Sequence, residues 1–185
     1  MNHLATSKED ILAASRDLIK ENGWAAVSIR AVASRCSVSA GTIYNYYESK
    51  ADLLSDTIES IWHEIFFHPE DEQIFHDVES CISWIYERLE YGNRQFPGFF
   101  SLHSFGFMRD EKTSGKKRMM KTWGHILNGL CEVLGNDLKV RSDVFDQEFT
   151  EKKFADILFS LILVSMIRQD YDPSSVLMLV KKTLY

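Results

Sequence analysis

Apolar side chains recur every three or four positions along nearly the whole chain, and no segment shows the strict alternation of a half-buried strand, so the pattern predicts an all-α fold. Thr6 with Glu9 forms a capping-box pattern ahead of a first helix carrying Ile11, Ala14, Leu18 and Ile19, which Asn22-Gly23 ends. Ser28 is placed to cap a short second helix with Val32, Ala33 and Cys36 inward. Ser37-Val38-Ser39 leaves room only for a tight turn, with Ser39 as the cap of a third helix, and two short helices joined this closely suggest a helix-turn-helix. Ser49 then caps a long fourth helix whose pairs Leu53/Leu54, Ile61/Trp62 and Ile65/Phe66 recur every turn until Pro69.

Beyond Pro69, Ile74, Val78, Cys81, Ile82, Ile85 and Leu89 predict a fifth helix ending near Gly92. The stretch FPGFFSLHSFGF, residues 96–107, is less regular and reads as one or two short helices. Met119, Met120, Trp123, Ile126, Leu127, Leu130 and Leu134 define another helix, and a polar connection follows it. A strongly apolar helix over residues 151–169 and a last one after Asp172-Pro173 complete the chain, with Asp as cap and Pro in the first helical position. The run Ile157–Ile167 falls short of the roughly 20 apolar residues of a membrane span, so it predicts a helix buried on two sides and no membrane partner.

On the third helix a step of about 100° per residue groups Ile43 with Tyr47 on one side, and Gly41, Thr42, Asn45 and Tyr46 on the other. Solvated helix faces usually carry Glu and Lys. Here small residues permit close approach to a surface, Thr42 and Asn45 supply donors and acceptors, and Tyr44 and Tyr46 carry hydroxyls at the flanks, a chemistry suited to a DNA major groove. Lys50 sits at the N-terminus of the fourth helix, where backbone amides favour a phosphate. Charge sharpens this reading: the net charge is −6, yet residues 1–50 carry six Lys/Arg against five Asp/Glu, so the acidity lies in the C-terminal part. Arg30 and Arg35 are equally well explained as plain surface charge.

Residues 28–54, SIRAVASRCSVSAGTIYNYYESKADLL, resemble the DNA-binding signature of the tetracycline-repressor (TetR) family of bacterial transcription regulators. The resemblance implies a three-helix DNA-binding domain over residues 1–50, and a helical ligand-binding and dimerisation domain over residues 51–185. It implies phosphate contacts from Ser28 and Lys50, backbone or base contacts from Tyr44 and Tyr46, and a recognition surface of Ala40, Gly41, Thr42 and Asn45 beside the cap Ser39. Ile43, Val38 and Tyr47 match positions that pack inward. The chain departs from the family pattern at Ser37, where a glycine is usual, and at Tyr47, where phenylalanine is usual.

The Phe, Trp and Met residues between 62 and 130 suit the lining of an effector cavity, with Trp62, Phe66, Trp84, Phe99, His103, Met108, Met119 and Trp123 as the candidate set. They favour an apolar or aromatic effector. HEIFFH, residues 63–68, resembles a zinc-protease motif but places His68 five residues after His63, about 140° round the helix, so no metal site is expected. No nucleophile elbow, phosphate loop, dinucleotide fingerprint or paired-cysteine motif is present, so no catalytic residue and no cofactor are expected. Cys36, Cys81 and Cys131 are far apart and odd in number, as free thiols of a reducing compartment would be, and the absence of a leader pattern points to the cytoplasm.

Together these features predict a homodimeric, ligand-responsive regulator, a repressor of a palindromic double-stranded DNA operator. A constitutive DNA-binding protein without effector and a helical protein adaptor are the competing readings.

Overall fold

The computed structural model of the chain describes residues 6–66, 75–100 and 114–185, with side chains in the last stretch from residue 123 onward. The described residues are helical, with no strand among them. The chain divides into two compact units: Met1–Phe67 with Gln95–Pro97, and His68–Arg94 with Gly98–Tyr185.

In the first unit, α1 (Lys8–Asn22) starts one position later than the Thr6–Glu9 pattern predicts. Ser7 is the cap: its hydroxyl oxygen accepts the Asp10 amide at 3.1 Å, while Asp10 Oδ2 accepts the Ser7 amide at 2.8 Å. Thr6 is instead buried, and its carbonyl is taken by the Tyr46 hydroxyl at 2.7 Å. Gly23, at φ +76°, ends the helix, and its amide bonds the Ile19 carbonyl. A single 3₁₀ turn, Trp24–Ala26, leads to α2 (Ile29–Arg35), α3 (Ala40–Tyr44) and the long α4 (Lys50–Phe66). Ile11, Val32, Ile43 and Leu53 are fully buried and form the common core of these helices. Each such side chain contributes roughly 1.5–3 kcal/mol by its removal from water.

Polar contacts fasten α1 to α4 along one edge. Glu64 of α4 receives Arg16 at 3.0 Å and Lys20 at 2.6 Å, and Lys8 reaches the buried Asp56 at 2.5 Å. Residues 95–97 join this unit through Phe96, which is fully buried beneath the Lys20 ammonium, 4.9 Å from its ring centroid.

In the second unit, α5 spans Val78–Gln95, α6 Ser114–Asn136, α7 Glu151–Arg168 and α8 Ser174–Leu184. The helix expected to end near Gly92 runs on through that residue, which is buried in the helix, so packing outweighs the helix-weakening tendency of glycine. Asp77 caps α5 by accepting the Ser80 amide at 2.8 Å, and Asp172 accepts the Ser174 amide at 2.9 Å at the start of α8. A polar corner joins three helix ends. The buried Asp137 accepts the Val78 amide at 3.0 Å and the Tyr185 hydroxyl at 2.5 Å, and the Lys139–Asp77 ion pair lies beside it. Lys139 and the Ser80 amide hold the Asp77 carboxyl down at about 2.

Helix α7 is apolar on two sides. Phe154, Leu158, Ile162 and Met166 are buried within the unit, while Ile157, Val164 and Ile167 stay exposed, joined by Met178 and Leu179 of α8. No helix among the described residues is long and apolar enough to cross a membrane.

Candidate functional site

The helix-turn-helix is set by a chain of caps. Ser28 accepts the Ala31 amide at 3.1 Å and starts α2. The helix ends in a Schellman arrangement, in which the Val38 amide bonds the Ala33 carbonyl at 2.9 Å and the Ser37 amide bonds the Ser34 carbonyl at 3.1 Å. That geometry places Ser37 at φ +56°, the left-handed region. A glycine is the natural occupant there, and the serine is accommodated at modest cost. Ser39 then accepts the Thr42 amide at 3.2 Å and fixes the start of α3.

Ile43 and Tyr47, fully or almost fully buried, root α3 and the following turn in the core. Gly41, Tyr44 and Asn45 are thereby turned into solvent, Tyr44 with 56% of its surface exposed. Ala40 and Thr42 are half-buried at the edge, and the Thr42 hydroxyl lies 3.0 Å from Ser39 Oγ. Ser49 accepts the Asp52 amide at 3.1 Å, which puts the exposed Lys50 in the first turn of α4. Ser28, Ser39, Lys50 and the exposed residues of α3 therefore belong to one compact unit.

Tyr46 differs from the expected exposed group. Its ring is half-buried and its hydroxyl is engaged with the Thr6 carbonyl, 40 residues earlier, so it fastens the start of α1 to the turn after α3. This was not legible in the helical period, because the bond is tertiary. The two arginines also separate. Arg35 is paired with Glu21, Nη1 donating to Oε2 at 2.8 Å, whereas Arg30 is exposed in the first turn of α2 with no ion pair among the described residues.

Gly41 is informative because the fold does not require it. Its backbone is not in the left-handed region, and a Cβ added there would meet only Ser39 Oγ at 3.5 Å, an ordinary contact. Glycine within a helix costs up to about 1 kcal/mol relative to alanine. The cost has no return inside the protein, and the bare backbone it leaves is open to an outside surface.

The expected effector residues fall into different units. Trp62 and Phe66 are buried in the first and stack at 5.6 Å, 19° apart. Trp84, which packs on Phe75 at 5.2 Å, belongs to the second unit with the fully buried Phe99 and with Trp123. His103 and Met108 lie outside the described residues, as does the side chain of Met119. His63 is exposed and His68 is outside the described residues, and no group of His, Cys, Asp and Glu suited to a metal occurs among those described. Cys36, Cys81 and Cys131 are free thiols, and burial pushes that of Cys81 up to about 12.

With this geometry in view, comparison with known proteins is specific at the N-terminus and broad elsewhere. Residues 11–57 match the model of the bacterial regulatory proteins of the tetR family. Over 48 residues the chain is 38% identical to the HTH-type transcriptional regulator UidR of Escherichia coli (strain K12), a match covering 26% of this chain and 24% of that protein. The chain thus spans about a quarter of the length of the curated relative it matches. Its fold resembles that of the transcriptional regulator FadR from Bacillus subtilis, solved in complex with stearoyl-CoA, with TM-score 0.68 and 18% identity, covering 97% of this chain and 100% of that one. It also resembles BioQ, solved with its double-stranded DNA operator, with TM-score 0.56 and 18% identity, covering 89% of this chain and 86% of that one.

Proposed function

We propose, on the premise that this chain belongs by its N-terminal domain to the tetR family of bacterial regulatory proteins, that it is a DNA-binding transcriptional regulator. The carrying observation is Gly41: a helix of five residues exposes a glycine that neither its backbone nor its packing needs, flanked by the exposed Tyr44 and Asn45. Thr42 and Asn45 read base edges from this helix. Ser28, Tyr44 and Lys50 hold phosphates and set the register. Arg30 joins the phosphate contacts, and Arg35, held by Glu21, does not.

DNA contact is assigned to residues 1–50, effector binding and dimerisation to residues 51–185. The exposed Ile157, Val164, Ile167, Met178 and Leu179 form the contact between two copies. A two-fold dimer presents its recognition helices to successive major grooves about 34–36 Å apart, or a multiple of that spacing, hence a palindromic operator. The protein acts as a repressor released by a small apolar or aromatic effector, because a ligand that fits one arrangement better shifts the population toward it. Bacillus subtilis FadR, with stearoyl-CoA, is an example of this fold holding an acyl ligand.

The test is fluorescence anisotropy on duplex DNA from immediately upstream of the gene, across a salt series, with the Tyr44→Ala/Asn45→Ala variant beside the wild type. Tight, salt-sensitive binding lost in the variant supports the reading. Equal affinity for upstream and random DNA would refute it for that site and favour the adaptor reading.

A further inference from the structure

Several polar atoms of the second unit are paired in its interior. The Tyr86 hydroxyl lies 2.8 Å from Ser165 Oγ, the Tyr185 hydroxyl donates to Asp137, and Asp137 also holds the Val78 amide. Among the described residues of this unit the exceptions are the Tyr171 hydroxyl and Nε1 of the half-buried Trp123 in α6, both shielded from solvent and without a hydrogen-bond partner there. A buried indole N–H normally finds an acceptor, and an unmatched one in a native interior calls for a missing partner. The fold's own use of this side chain is its ring, which meets Phe159 of α7 edge-on at 5.7 Å and 68°. That contact is between ring and ring, and it does not use the nitrogen as a donor.

Indole Nε1–H donates and cannot accept, so whatever satisfies it must bring an acceptor. We propose that Trp123 Nε1–H is the polar anchor of the effector site, and that the effector is an apolar or aromatic molecule carrying a carbonyl, carboxylate or hydroxyl oxygen that accepts this hydrogen. The inference rests on the ligand-responsive reading given above and specifies the chemistry of its ligand. An internal water, which needs two to four polar partners, is the competing occupant, and the ketone–hydrocarbon comparison below separates it from an effector.

The test uses matched aromatic pairs, 2-acetylnaphthalene against 2-ethylnaphthalene and acetophenone against ethylbenzene, titrated into the full chain and into Trp123→Phe by calorimetry and thermal shift. The ketones should bind the wild type about tenfold more tightly than the hydrocarbons, the loss expected for one buried hydrogen bond. Trp123→Phe, where it folds, should bind both members alike. In wild-type protein labelled at the four tryptophan indoles, the ketones should move one Nε1–H resonance downfield and the hydrocarbons should not. This reading needs no variant, so it stands if Trp123→Phe fails to fold.

Ketones binding no better than hydrocarbons overturn the anchor while leaving an effector site in place. A ketone preference retained in a folded Trp123→Phe overturns it too. If no probe binds although the protein holds its DNA, the anchor and the effector reading fall together and the DNA-binding reading survives.

Discussion

Helices α3 and α7 both leave side chains in solvent, with opposite chemistry. The exposed part of α3 and its flank is glycine, asparagine and tyrosine, while that of α7 includes Ile157, Val164 and Ile167. A surface that must meet a hydrated polyanion keeps polar groups and gives up bulk, because base edges and phosphates are read by hydrogen bonds at close range. A surface that meets its own copy keeps bulk, because removal of apolar area from water drives such contacts. The difference shows that exposure alone carries no functional meaning until the chemistry of the exposed atoms is known.

The strongest way to break this comparison is to give α7 the polarity of α3. Val164→Asp should place a charge from each copy in the proposed interface and cost the dimer about 3–5 kcal/mol, the penalty of a buried charge without a partner. Sedimentation at micromolar concentration should then show monomer, and a dimer of wild-type stability would remove α7 from the interface. On α3, Asn45→Ala should cost roughly 1–3 kcal/mol at one base pair and relax its choice, while Lys50→Ala should weaken all sequences alike and reduce the salt slope by about one unit. Equal losses on operator and random DNA for Asn45→Ala would contradict the division between reading and positioning.

A smaller effect belongs to the polar corner of the second unit. The Asp77 carboxyl is held at about 2, below its ordinary 3.8, chiefly by Lys139 and then by the Ser80 amide. A depressed carboxylate contributes stability that is present above its unfolded value and lost as pH falls through the folded one, here between about pH 4 and 2. Asp77→Asn should remove about 1 kcal/mol of stability at neutral pH, with screening allowed for, and flatten the decline across that window in urea titrations. An unchanged slope would show that the pair contributes nothing to folding.

The smallest effects are the most discriminating, because two neighbouring positions are exchanged in their needs. Ser37 occupies a left-handed position that suits glycine, and Gly41 a helical one that suits alanine. Ser37→Gly should stabilise the chain by about 0.5 kcal/mol, the relief of strain less the greater freedom of the unfolded chain. Gly41→Ala should stabilise it by about 0.5–1 kcal/mol while weakening operator binding. A Gly41→Ala variant that binds DNA as tightly as the wild type would leave the exposed glycine without its proposed purpose.

The caps Ser28, Ser39 and Ser49 were legible in the sequence because a cap is a local event, one side chain meeting an amide a few residues on. So was the burial of Ile43 and Tyr47, which follows from the helical period. The first cap is Ser7 and not Thr6, because the reciprocal Ser7–Asp10 bonds form one position later, a local choice between two adjacent patterns. Tyr46 turned from an exposed hydroxyl to a bonded one for a different reason: it and the Thr6 carbonyl are distant in the chain and meet only in the folded unit. Arg30 and Arg35 were indistinguishable as residues, and Glu21, 14 positions before Arg35, separates them.

The same division runs through the second unit. The sequence by itself determined the helices and the surplus of apolar surface on residues 151–169, since both are written in periods of a few residues. Only the tertiary structure decided that Phe96 packs in the first unit, that Asp137 gathers three helix ends, and that the Trp123 nitrogen has no partner among the described residues. Each depends on which distant atoms share a volume, and hydrogen bonding and close packing act between neighbours in space whatever their distance along the chain.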